Sequence, residues 1–334
     1  MFAKGPNHQK MLDTLEDIDL QKFVAALKGD YEPLSARIRQ LVHSVKCECE
    51  GVTLHLHFPT IVQGKATVWE LINVILDYMT PFATHRQQII ELEAQYGKIS
   101  PGQYRVQCER MKQEANNVFI KAQKAANKNG EAGELLLFIL TEWVLKAPQL
   151  LAKLPLKSAR NVPVHGTDGI HVAYWPEKQT LCTYWGEAKL HSDIGRALAD
   201  AVKSIKRAIT SDKQEFELSL VRRNIDSVGL DPKAKSLMLS FLNPYGGENY
   251  NRRVNATTCL IGFDFDAYKA LSISDGDDEF SALAADELGK LAPRFSASLA
   301  RSGIRNQYIE LFLFPVPSVA DLRDEFQTRI GWNK

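Results

Sequence analysis

Cysteine is scarce in this chain: five residues in 334, with no two spaced as a CxxC pair. That excludes a disulfide-framed fold and points to a reducing, cytoplasmic setting. Long apolar runs are missing as well. The longest, Leu135 to Leu140, runs into Thr141 and Glu142 and falls far short of the roughly 18 residues of a membrane span. The opening residues, Met1 to His8, hold no apolar stretch of the kind a secretion signal needs. No membrane contact is expected. An excess of charge of one sign is also lacking, since 41 Lys+Arg face 40 Asp+Glu for a net +1. Bulk attraction to nucleic acid is therefore excluded, and any such contact must come from a local patch. What is present is ordinary for a globule: 45% hydrophobic and 24% charged residues supply enough apolar surface to rule out disorder over most of the length. The length suits one large domain or two modest ones.

Along the chain, the first 40 residues read as helical and polar. Val45 to Phe58 alternates and ends at Pro59, which predicts strand, turn, strand. Val68, Leu71, Ile72, Ile75, Leu76 and Met79 stand at helical spacing, with Pro81 as the stop. Further helices are expected over Arg86 to Tyr96 and Pro101 to Asn127. After a break at Lys128-Asn129-Gly130, Glu134 to Trp143 is apolar almost all round, as a buried helix is. Strands follow at Ile170 to Trp175 and Leu181 to Leu190, a helix over about Asp193 to Ile209, a strand at Thr258 to Phe265, a helix over about Phe280 to Ser302 and a strand at Ile309 to Phe314. This is a mixed α/β layout.

The chemistry concentrates in the hairpin of the first two late strands. If Pro176 to Gln179 is its loop, Trp175 faces Thr180, and stepping back along both strands puts Asp168 opposite Glu187. Opposed side chains have Cβ atoms roughly 4.5–5.5 Å apart. Lys189, two residues past Glu187, points to the same face. Opposed carboxylates repel, so a counter-charge is needed, and a divalent cation would supply it. Removing one carboxylate is then expected to stabilise the metal-free protein. Mg²⁺ takes one or two carboxylates, with water and phosphate oxygens completing its shell, and supports phosphodiester hydrolysis. A neighbouring lysine could orient water or offset transition-state charge.

Asp168 followed on the next strand by Glu187-Ala188-Lys189 resembles the PD-(D/E)xK signature of the restriction-endonuclease-like superfamily. The longer strings Gly166-Thr167-Asp168-Gly169-Ile170-His171 and Trp185-Gly186-Glu187-Ala188-Lys189-Leu190 resemble the nuclease subunit of the Hachiman anti-phage defence system. Gly133-Glu134 and Leu311 to Pro317 resemble it too, so the likeness covers roughly residues 130 to 320. The resemblance implies Asp168 and Glu187 as ligands of Mg²⁺ (or Mn²⁺) and Lys189 as the catalytic lysine. It also implies a further catalytic carboxylate at Glu134, with Glu142 open as an alternative on the same helix. The literal motif is broken at its first position, where Thr167 stands instead of proline. The implied fold is a restriction-endonuclease-like mixed sheet flanked by helices in residues 126–334. Residues 1–125 would form an N-terminal, mainly helical α/β extension that docks a partner. That partner would be a superfamily 2 DNA helicase, and the substrate DNA. A non-catalytic DNA- or helicase-binding module on the same fold is the alternative; no RNA-binding module is recognisable.

Lys203, Lys206 and Arg207 lie on the polar side of the helix after the motif and are candidate phosphate contacts. Of the nearby histidines, His171 is expected in the core, facing away from the carboxylates, and His191 shares the parity of Lys189; His165 precedes the motif. Cys47, Cys49, His55 and His57 read as alternating strand residues rather than a zinc site.

Overall fold

A computed structural model describes residues 20–45, 47–126, 130–158, 166–245 and 247–332. Residues 1–19 and His165 lie outside it. Helix α1 (20–26) and a 3₁₀ turn at Glu32–Ala36 lead into β1 (Ile38–Val45), β2 (Gly51–Pro59) and the small hairpin of β3 (Ile61–Val62) and β4 (Lys65–Ala66). Helices α2 (Val68–Asp77), α3 (Met79–Ala83), α4 (Arg86–Glu93), α5 (Pro101–Ala126), α6 (Glu131–Val144) and α7 (Leu154–Ser158) follow. The second half runs β5 (Gly169–Trp175), β6 (Thr180–His191), α8 (Ile194–Ala208), α9 (Ser211–Arg223), α10 (Pro232–Leu242), α11 (Glu248–Arg252), β7 (Val254–Asp264), α12 (Asp277–Arg301), β8 (Tyr308–Val316) and α13 (Val319–Arg329).

Six strands make one mixed sheet in the order β1-β2-β8-β7-β6-β5. Its four inner strands are mutually parallel, and β1 and β5 pair antiparallel at the two edges. Inner strands of a parallel sheet are covered on both faces and read as near-continuous apolar runs, which is the pattern of Leu311 to Phe314 and of Cys259 to Ile261. On one face Leu190, Leu260, Phe312 and Phe314 pack with α2, α5, α6 and α13. On the other, Leu54, Leu56, Cys259, Ile261, Leu311 and Leu313 pack with α8 and α12. Towards the β5 edge that second face carries Ile170, Val172 and Trp185, covered by α1, α9 and α10.

Two local expectations shift. The hairpin anticipated within 45–58 pairs Ile38–Val45 with Gly51–Pro59 instead, so Val45 faces Val52 and the two cysteines fall in the connection. Polar Arg39 and Gln40 on this edge strand disguise the alternation. The helix expected to stop at Pro81 ends at Asp77, and Pro81 sits in the short α3, near its start, where a missing N–H costs little. The stretch 1–125 is largely helical where described, yet it also contributes β1 and β2 to the same sheet as the late strands, with β2 hydrogen-bonded to β8.

Candidate active site

The β5–β6 hairpin has the anticipated register: Trp175 pairs with Thr180 and Gly169 with Gly186. Asp168 lies just before the strand, and its N–H donates to the Gly186 carbonyl at 2.7 Å. Gly186 is already the partner of Gly169, so Asp168 bulges out of register instead of facing Glu187 as the stepped-back pairing predicts. Asp168 Oδ2 accepts the Ala188 N–H at 2.8 Å, so the carboxylate is held against the neighbouring strand. Lys189 Nζ lies 2.9 Å from Glu187 Oε2. Glu187 and Lys189 share a face as the alternation of strand residues requires, and the Asp168 carboxylate is close enough to act on the Lys189 charge.

The counter-charge, however, comes from the protein. Besides Lys189, Lys213 of α9 lies 3.8 Å from Glu187 Oε1. Glu187 is buried and Lys189 half-buried. Burial alone would pull the Lys189 pKa down, but the Glu187 and Asp168 carboxylates outweigh it and hold the ammonium above its ordinary value. Beyond the hairpin, His191 Nε2 lies 3.4 Å from Asp200 Oδ2, and Lys203 Nζ lies 3.1 Å from Asp200 Oδ1. The hydrogen bond from Lys203, with charge from His191 and Lys189, keeps the Asp200 carboxyl below the usual range.

Helix α6 approaches the opposite face. A Cβ on Gly133 would stand 3.1 Å from Leu190 Cγ and 3.4 Å from Ala188 Cβ, and one on Gly186 would stand 3.1 Å from Leu137 Cδ2. Small residues are thus needed on that face for the helix to sit close. Glu134, in the first turn of α6, is half-buried while its helical neighbours are buried; its helix packs on the face bearing Ala188 and Leu190, not the one bearing Glu187 and Lys189. Glu142 is taken by other partners: Tyr31 Oη donates to it at 2.6 Å and the Gln149 N–H at 2.7 Å. Lys203, Lys206 and Arg207 are exposed on α8, whose apolar side carries Ala197, Leu198, Ala201, Val202 and Ile205. His171 is buried, with Nδ1 2.9 Å from the Ala147 carbonyl.

Sequence reading missed Lys213, Glu217 and Lys153. Lys213 and Glu217 are four residues apart on α9 and so share a face, which turns to the open end of the hairpin. A glutamate next to Leu218 and four residues before Val221, on an apolar side of a short helix, was the available signal.

For a divalent cation the donor chemistry fits in kind and number. Asp168, just before β5, and Glu187, on β6, offer two hard carboxylates, within what Mg²⁺ takes from protein. Among the described residues no three His, Cys, Asp or Glu side chains group to hold a metal ion, so water and substrate would fill the remaining positions. No helix among the described residues is long and apolar enough to cross a membrane.

No curated protein matches the chain. A model of the HamA family matches residues 37–330, which takes in both N-terminal sheet strands, the hairpin and α9. The chain belongs to the HamA family, the nuclease-subunit family of the Hachiman defence system.

Proposed function

We propose that this Hachiman protein hydrolyses DNA phosphodiesters in a metal-dependent reaction at Asp168, Glu187 and Lys189, on a restriction-endonuclease-like core. The observation that carries the reading is the hairpin end, where the Asp168 carboxylate is held by the N–H of Ala188, the residue between Glu187 and Lys189, and the Lys189 ammonium sits on Glu187. A binding module has no need of that set. Bound Mg²⁺ or Mn²⁺ would supply Lewis acidity toward the phosphate and a more acidic water. The protein's own part is positional and electrostatic. The Ala188 N–H orients the Asp168 carboxylate, and Lys189, placed on Glu187, offers positive charge to a phosphorane-like transition state. Lys203, Lys206 and Arg207 would hold the DNA backbone, and Glu134, whose helix packs on the other face of the hairpin, would reach the metal only through a bound water.

A helicase partner completes the proposal. With a net charge of +1 and a few backbone contacts, the chain alone would bind DNA weakly at physiological salt, so ATP-driven exposure of the strand would come from the partner. The test is incubation of the protein, with and without the helicase and ATP, on plasmid and linear DNA in Mg²⁺. Cleavage that is lost in Asp168→Ala, Glu187→Ala and Lys189→Ala is expected. Wild-type cutting by Lys189→Ala would overturn the site, and vigorous ATP-independent digestion by the isolated chain would overturn the dependence on a partner.

A further inference from the structure

Directly beside the hairpin lies a buried ion pair that the reaction above does not use. Lys153 Nζ stands 2.6 Å from Glu217 Oε2, with side chains 1% and 0% exposed. Both partners close on the backbone of one residue: Lys153 Nζ donates to the Thr167 carbonyl at 2.5 Å, and the Thr167 N–H donates to Glu217 Oε1 at 2.7 Å. Gly166 is part of the fit, because a Cβ there would fall 1.8 Å from Glu217 Oε1. A charge pair this deep costs much in desolvation and is poor evidence for stability by itself. Here it grips both the N–H and the C=O of the residue that precedes Asp168.

We infer that Lys153 and Glu217 are positioning residues for Asp168, and that their grip on the Thr167 backbone takes the place of the proline that opens the literal motif. Proline stiffens a chain by fixing φ but has no N–H. Thr167 keeps the N–H, and Glu217 uses it. The same helix sends Lys213 to Glu187, so α9 sets both carboxylates of the proposed site, and the inference rests on that site being catalytic.

The test compares Lys153→Met/Glu217→Leu, Thr167→Pro, Thr167→Ala and Asp168→Asn with wild type. Three quantities are read: amide hydrogen exchange over residues 166–170, the thermal midpoint with and without Mn²⁺, and DNA cleavage in Mg²⁺ with the helicase. The paired apolar replacement avoids a lone buried charge but leaves the Thr167 N–H and C=O unpaired, so its midpoint is expected to fall less than that of either single replacement. Its exchange at Thr167 and Asp168 should rise about tenfold or more. Its Mn²⁺-induced shift should shrink, and its kcat should fall about tenfold or more with KM little changed. Thr167→Pro, which removes the donated N–H and sets its ring against the Glu217 carboxylate, should show the same losses if the paired variant does not fold. Thr167→Ala, which keeps N–H and C=O and loses only the 3.5 Å contact of its hydroxyl with Lys153 Nζ, should stay close to wild type. A folded paired variant or Thr167→Pro with wild-type kcat and Mn²⁺ shift, while Asp168→Asn is inactive, would overturn the positioning role alone. Wild-type cleavage by Asp168→Asn would overturn the site reading and the inference with it.

Discussion

Glu187 is the side chain whose environment departs most from the view of two repelling carboxylates. It accepts from Lys189 and stands near Lys213, on a strand position that is mostly buried. Neutralising it removes an attraction, not a repulsion. Glu187→Gln is therefore expected to lower, not raise, the stability of the metal-free protein, by about 1–3 kcal/mol; denaturant titration without metal measures it, and a stabilised variant would contradict the geometry. His57 offers a second expectation. It is fully buried, and among the described residues neither ring nitrogen has a hydrogen-bond partner within bonding distance. Burial, with the neighbouring His55 charge, lowers its pKa from 6.5 to about 3, and burial lowers that of His171 to about 4 against the Ala147 hydrogen bond. Both folded values lie below the unfolded one, so the unfolded chain binds protons that the folded one refuses. Stability is full above about pH 6.5 and is lost as pH falls toward about 4 for His171 and about 3 for His57, at up to about 1.4 kcal/mol per pH unit per group. His57→Phe loses no hydrogen bond. It should retain the neutral-pH midpoint and flatten this acid limb in thermal melts; an unchanged limb would show that His57 titrates normally.

Helices α6 and α9 divide the site's supports between them. Helix α6 was legible because Leu135 to Leu140 leaves no polar face, but its orientation was not. Only packing shows that Gly133 and Leu137 press on Ala188, Leu190 and Gly186, and that Glu142, eight residues after Glu134, is bonded to Tyr31 and Gln149. The two glutamates should separate cleanly. Glu142→Gln is expected to lower the thermal midpoint, because a buried carboxylate bond and its partner's pairing weaken by about 1–3 kcal/mol, with the Mg²⁺ dependence of cleavage unaltered. Glu134→Gln should leave the midpoint near wild type and raise the Mg²⁺ concentration needed for half-maximal rate. The reverse pattern in paired melts and Mg²⁺ titrations would sink Glu134's part in the site. Helix α9 was not legible at all. Its residues Ser211–Arg223 are mostly polar, and Lys213 and Glu217 look like a solvated i,i+4 pair until the fold brings the hairpin mouth and Lys153 against them.

At the scale of the molecule, the sheet couples the two ends of the chain. Strand β2 lies between β1 and β8, and β8 borders β7, which borders the strand that carries Glu187 and Lys189. Removing residues before 60 would strip both strands and expose the apolar edge of β8. Such unpaired edges recruit other chains. A chain beginning at residue 126 is therefore expected to be insoluble or aggregated, as gel filtration would show, whereas a monodisperse folded product would mean that the sheet survives without β1 and β2. Basic α5 and the rest of the early segment thus lie on a structure continuous with the site, and a docking role for residues 1–125 would act through a shared sheet.

Alternation, apolar runs and one tight turn were sufficient to determine the β5–β6 register from sequence, because a four-residue loop between two strands leaves a single pairing that keeps each face consistent. The shared face of Glu187 and Lys189 followed from that alternation, whereas the bulge at Asp168 did not. The parallel neighbours of β6, the face on which each helix lands and the identity of Lys153, Lys213 and Glu217 depended on pairings and packing between residues far apart in the chain. Those contacts leave no periodic trace in the residues that make them. The grip on Thr167 exists only once α9 has folded over the hairpin.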